Sequence, residues 1–458
     1  MNGPPGGLKR DIGFTGSAFL SFNGIVGAGI FALPATLHLQ FGAFSPWLFP
    51  LFGLLVLVVA LPFARLASLV PEAGGPVAYT SVFGPLASFQ VGWLYYLARS
   101  AALAANANVF ATYAGSLWAP LGSTIGRVAT ILILVGTLTL INIVGVRRAI
   151  RALDALTLLK ALPLIGLAVW GLVYAAGALP APGPPPPLSA VEGAALLILY
   201  AFIGFENSVV PAEETTDPRR TIPRALLTTI AGTAALYFLV QLAYVAVMPA
   251  GAAPEAPLAA FAAVLIGPAG ALLLTATALA SVAGNISGAM TSTPRITFAL
   301  SGQNSLPRWF GRVSARYATP ANSILFMGLI VGTLAVTGSF VWLAIVSTLA
   351  RLIVYSASIA ALPKLARAGI GTWAMMAAAL ALCLWAATQS AAASWLMLAG
   401  AVVAGFLLFT LARRQAGASS AAPSLPKRRI GSPGADPNGA SAGMVSSIQP
   451  PPSTRSPE

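Results

Sequence analysis

Between Asp11 and Arg65 the chain carries no Asp, Glu, Lys or Arg. A run that long and that apolar has few structural solutions. In hydrocarbon every backbone N–H and C=O must be satisfied within the chain, which an α-helix does by itself, and about 20 apolar residues carry a helix across. The pattern recurs to about residue 412. Apolar runs between polar punctuation predict twelve helices, at about 14–38, 44–68, 84–117, 123–145, 152–177, 189–211, 224–248, 261–298, 322–338, 340–363, 372–389 and 392–412. With 57% of its 458 residues apolar and only 8% charged, against about 25% charged in an ordinary soluble domain, the chain has little left to build anything else. The expected fold class is an all-α polytopic membrane protein. Glycines interrupt the first run, which is also too long for a signal peptide, so it is read as the first helix.

The scarce residue types exclude whole classes of chemistry. One histidine, His38, and one cysteine, Cys383, cannot supply a zinc site, an iron–sulfur cluster or an internal disulfide. No Gly-Lys dipeptide occurs, so no phosphate-cradling P-loop is present. Without His, Cys or paired intramembrane carboxylates, no catalytic constellation is expected, and neither are cofactors or metals. The net charge of +14 is not a nucleic-acid patch. With a cytoplasmic N-terminus and twelve spans, all 25 Lys and Arg fall on the cytoplasmic side except Arg127 outside and Arg99, Lys160 and Arg351 within the spans. That bias predicts both termini inside. From about Gln415 the composition turns to Ser, Pro, Ala and Gly, predicting a disordered cytoplasmic tail over 414–458, with Lys427, Arg428 and Arg429 a solvated basic cluster.

Four ionisable residues lie inside predicted spans: Arg99, Lys160, Glu206 and Arg351. Each costs a few kcal/mol or more at the bilayer centre and is a functional hypothesis for that reason. From the cytoplasmic charges nearest them, Lys160, Arg351 and Glu206 come out roughly 14, 20 and 10 Å deep at a rise of about 1.5 Å per residue. Glycine clusters mark helix one (Gly24, Ile25, Val26, Gly27, Ala28, Gly29, Ile30, Phe31) and helix six (Tyr200 to Glu206, with Gly204). A single cluster of this kind is read as close helix packing. Their matched placement about 180 residues apart, with Glu206 beside the second, favours broken helices around a midplane site. Half-helix N-termini there attract a carboxylate and freed carbonyls attract an amine, so the site suits a zwitterion. Arg99 and Arg351 are read either as a gate or charge partner, including a structural pair with Glu206, or as substrate contacts. Asn106, Asn285 and Gln241 are read as interhelical hydrogen-bond partners.

At these residues a family resemblance becomes specific. The Gly24–Phe31 stretch resembles the glycine-rich first-helix motif of amino acid permeases in the amino acid/polyamine/organocation superfamily. Phe202-Ile203-Gly204-Phe205-Glu206, continuing through Ala212-Glu213-Glu214, Asp217-Pro218-Arg219 and Ile222-Pro223-Arg224-Ala225, is similar to that family's segment at the exit of helix six, with Asp217 where Asn is usual. Pro294-Arg295, Leu306-Pro307 and Thr319-Pro320 are similar too, whereas Gly302-Gln303-Asn304 departs from the family's usual Arg-Asp-Gly. The resemblance spans roughly residues 13–412. It implies a leucine-transporter-type fold of five plus five inverted repeats (13–180 and 181–365) and two peripheral helices (366–413), after a cytoplasmic N-terminus (1–12). It implies a substrate site at Ile25, Val26, Gly27, Ala28 and Gly29 and at Phe202, Ile203, Gly204, Phe205 and Glu206. It also implies that the Lys160 ammonium stands where sodium-coupled relatives bind sodium, with Lys160 or Glu206 as the coupling group.

The expected function is sodium-independent transport of an amino acid across the inner membrane by alternating access, as an exchanger or with a proton. The alternatives are a polyamine or amine carrier, an acidic amino acid carrier suggested by three intramembrane cations against one anion, and a transporter-like membrane sensor. The expected partners are a small-molecule substrate (an amino acid or amine), a proton in the coupled case and the lipid bilayer, with no nucleic acid.

Overall fold

A computed structural model describes residues 10–70, 74–145, 149–175, 179–367 and 369–421. Helix occupies each of the twelve apolar runs. The described residues form no strand; a lone parallel bridge joins Ile12 to Thr215. Eight stretches among them are long and apolar enough to cross a membrane, and shorter apolar helices lie at Leu159–Tyr174 and Ala321–Thr337. The number differs from twelve for physical reasons. The first helix is split into short halves, and Ala28–Leu69 counts as one stretch. The Pro85–Leu117 helix is not among the eight; it carries the polar Arg99, Asn106 and Asn108 among its apolar side chains.

Helix ends follow local chemistry. Proline opens the Pro85–Leu117, Pro218–Val247 and Pro257–Ser292 helices, at the position where its missing N–H has no intrahelical partner to lose. Ser123 and Ser339 cap the Thr124–Val144 and Phe340–Ala360 helices by accepting from Gly126 and Trp342 N–H. The Pro257–Ser292 helix is kinked at Ile266 and Gly267, just before Pro268, and ends at Ser292 before a separate Pro294–Gly302 helix, so the single helix expected over 261–298 is three pieces. The last helix, Ala392–Ala421, runs past the expected boundary at 413. Residues 415–421 lack large apolar side chains but are alanine-rich, and alanine is the best helix former. Residues 1–9 and 422–458, including the basic cluster Lys427 to Arg429, lie outside the described residues.

One compact unit runs to Ala416. Within it the Pro218–Val247 helix packs on Leu48–Leu69, on Ala149–Tyr174 and on the first half-helix, Phe14–Ile25. The Pro85–Leu117 helix packs on Phe340–Ala360 and on Pro257–Ser292. The outward faces stay apolar: Ile125, Ile133, Leu162, Val173, Leu329 and Leu396 are all exposed, which water penalises and lipid does not.

Candidate substrate site

The first helix stops at Ile25 and resumes at Ala28 because Val26 (φ −78°, ψ 83°) and Gly27 (φ −124°, ψ −140°) leave the helical region. A break frees the carbonyls of one half-helix and the amides of the next. In hydrocarbon all of them need partners. Three other helices supply those for the carbonyls. Asn23 O accepts from Asn285 Nδ2 at 2.7 Å, Ile25 O from Tyr237 OH at 3.3 Å, and Gly24 O from Asn285 Nδ2 at 3.4 Å. Val26 O accepts from Lys160 Nζ at 2.9 Å, and the same ammonium donates to Asn23 O at 3.3 Å and to the Asn23 side-chain oxygen. The first amide of the second half, Ala28 N–H, donates to Asn106 Oδ1 at 2.9 Å, and Asn106 Nδ2 donates to Asn285 Oδ1 at 2.7 Å.

Lys160 is 1% exposed, and its three N–H donors face three oxygens, two of them carbonyls at the break. That is an all-oxygen cage of the kind a monovalent cation would take, filled by an ammonium.

The second break follows Tyr200, where turns lead through Gly204 (φ 116°) into the short helix Phe205–Ser208. The two breaks meet backbone to backbone. A Cβ on Gly204 would lie 2.3 Å from the Gly24 carbonyl carbon, and one on Gly24 would lie 2.4 Å from Gly204 O. Only glycine fits either place, and at Gly204 the positive φ demands it as well. Ser21 Oγ adds a hydrogen bond to Phe205 O at 2.8 Å. Gly29 also packs, its would-be Cβ 3.0 Å from Ala201 Cα. Gly27 differs: a Cβ there would meet only the side chains of Asn106 and Asn285, at 3.4 Å. Contact with neighbouring backbone therefore accounts for Gly24, Gly29 and Gly204 but not for Gly27. Ile25, Val26, Ala28, Phe202, Ile203 and Phe205 are all buried around the junction.

Glu206 is fully buried and every oxygen is engaged. Oε1 faces Arg351 Nε at 3.1 Å, and Oε2 accepts from Tyr355 OH and Gly204 N–H, each at 3.0 Å. Arg351 also donates to Ala98 O and Ser347 Oγ. The structural pair kept open by the sequence is therefore formed by Arg351 and not by Arg99. Arg99 donates instead to Thr293 Oγ1 at 2.7 Å, Asn207 Oδ1 at 2.7 Å, Tyr95 OH at 3.1 Å and Ser292 Oγ at 3.1 Å. Gln241 donates to Pro34 O and Ser45 Oγ, away from the breaks.

A cavity of about 590 Å³ lies beside the first half-helix, lined by residues such as Phe14, Phe19, Phe22, Ile165, Thr233 and Leu236. Its mostly apolar wall carries no ionisable side chain, so the paired breaks, where backbone amides and carbonyls leave the helical pattern, are the candidate site. Sequence reasoning passed over Asn23, Asn207, Tyr237 and Tyr355. Asn23 and Asn207 sit directly beside residues it had named, Gly24 and Glu206, and that adjacency was the available signal.

Residues 12–420 match the family described as amino acid permease. The serine/threonine exchanger SteT of Bacillus subtilis is 27% identical over 71% of this chain and 76% of its own length. The branched-chain amino acid permease BcaP of the same organism is 25% identical over 78% and 82%. A manganese transporter of Eremococcus coleocola, solved in complex with an aromatic bis-isothiourea substituted compound, superposes with a TM-score of 0.57 at 15% identity, over 88% of this chain and 94% of its own. That likeness shows the fold.

Proposed function

Because the chain belongs to the amino acid permease family, we propose that it moves an amino acid across the inner membrane by alternating access, without sodium, as an exchanger or with a proton. The observation that carries this reading is the Lys160 ammonium bonded to Val26 O and Asn23 O at the first break: the position suited to a coupling cation is taken by the protein itself. The exchange reading is supported by the similarity to SteT. The polyamine alternative is weakened, because Arg351 already neutralises the carboxylate that a second ammonium would need. With its oxygens committed, Glu206 is a structural anion in this reading, and a coupled proton falls to Lys160.

The five-plus-five repeat supports the same reading through its two matched breaks. In this reading both termini lie in the cytoplasm, as the positive-inside bias suggests. The bridge between Ile12 and Thr215 ties the N-terminal segment to the exit of helix six, on the side where the basic residues gather.

In this site the substrate carboxylate sits at Gly27 and Ala28, where the amides of the second half-helix begin. Gly27→Leu is therefore expected to insert and fold, since a Cβ there meets no backbone and touches the Asn106 and Asn285 side chains only at 3.4 Å, yet to lose substrate counterflow in proteoliposomes. Wild-type counterflow in that variant would remove the carboxylate from this break.

A further inference from the structure

The intramembrane charges can be balanced pair by pair. Arg351 and Glu206 cancel. Lys160 is enclosed by carbonyl and amide oxygens. That leaves Arg99, 7% exposed, which donates to three hydroxyls and one amide oxygen. Among the described residues it meets no carboxylate. A buried guanidinium held only by neutral groups has paid most of its desolvation and still lacks a counter-ion.

Its position gives that a direction. The Pro85–Leu117 and Pro257–Ser292 helices pack together and are joined by two rungs. One rung is Asn106 with Asn285; the other is Arg99 with Ser292. Each pair of rung residues is separated by seven positions along its helix, two turns or about 10 Å at about 1.5 Å per residue, and on the same face of it. The first rung holds the Ala28 amide at the first break. The second reaches Asn207, just beyond the second break, and Asn207 Nδ2 in turn lies against Gly24, 2.4 Å from where a Cβ would be. A molecule with its α-carboxylate at the first rung and its amine sharing the break carbonyls with Asn285, Tyr237 and Lys160 would direct its side chain towards Arg99, across a span that a dicarboxylate hydrogen-bonded at both ends covers.

We propose that Arg99 is a specificity-determining residue of this site and that the substrate is an α-amino acid with an anionic side chain, of glutamate length. The proposal rests on the amino acid transport reading above and adds its substrate class. The guanidinium reads the side-chain carboxylate by charge-assisted hydrogen bonds. The partners that hold it now, hydroxyls and one amide, can yield to a carboxylate without leaving a charge behind.

The test is counterflow in proteoliposomes with L-glutamate, L-aspartate, L-glutamine, L-serine, L-leucine and putrescine, for the wild type and for Arg99→Gln and Arg99→Lys. The expected result is that glutamate outcompetes glutamine by at least about thirtyfold in the wild type, that Arg99→Gln removes that preference while still carrying glutamine, and that Arg99→Lys restores part of it. A wild type that prefers serine or leucine and ignores glutamate overturns the proposal without any variant. So does an equal loss of glutamate and glutamine in Arg99→Gln, which would make the arginine a structural tie between helices. Movement of putrescine alone, or of nothing, overturns the transport reading itself and this one with it.

Discussion

Arg351→Leu is expected to destabilise the protein by about 3–5 kcal/mol, since removing one member of a buried ion pair leaves the other charge uncompensated. Glu206 would be left at 0% exposure with only Tyr355 OH and the Gly204 amide to hold it. The loss falls where it does most harm, because Gly204 is the residue whose backbone presses on Gly24. The readout is the apparent unfolding temperature of purified protein in detergent, with the double variant Arg351→Leu/Glu206→Leu as its control. Replacing both partners by apolar groups removes the stranded charge, so the double variant should regain much of the lost stability. Equal stability of Arg351→Leu and wild type would show that the pair does not hold the second break.

Lys160→Ala is expected to insert and to reduce transport to about 3% of wild type or less. Removing the ammonium strips Val26 O and the Asn23 side-chain oxygen of their donor, and each unmet buried acceptor costs about 1–3 kcal/mol. Two of them amount to roughly 2–6 kcal/mol, about thirtyfold or more in the population of the organised break. Initial rates of counterflow, normalised to reconstituted protein, check this. A variant running at wild-type rate would reduce Lys160 to a tolerated residue on a buried helix face.

The helical frame was legible because hydrocarbon imposes one demand, a long apolar run that closes its own hydrogen bonds, and a chain with no charged residue between Asp11 and Arg65 meets it openly. The breaks were legible for the converse reason, since glycine clusters at matched places in two spans are costly unless the backbone opens there. What satisfies the opened backbone was not legible. Lys160 and Asn23 are 137 positions apart, Arg351 and Glu206 145, and Tyr355 and Glu206 149, and no local periodicity links them. The choice between Arg99 and Arg351 as partner of Glu206 depended on the same long-range packing. The division among the glycines was hidden too: Gly24, Gly29 and Gly204 meet neighbouring backbone, whereas Gly27 meets side chains, and four glycines look alike in a sequence. The extension of the last helix to Ala421 escaped a reading that asked only where large apolar side chains end.

The most direct measurement is uptake into proteoliposomes preloaded with counter-substrate, made with sodium in the external buffer and again with choline in its place. With the Lys160 ammonium holding the oxygens of Val26 and Asn23, the two rates are expected to agree. Uptake that disappears in choline and returns in proportion to added sodium would contradict the claim that the lysine takes the cation's place.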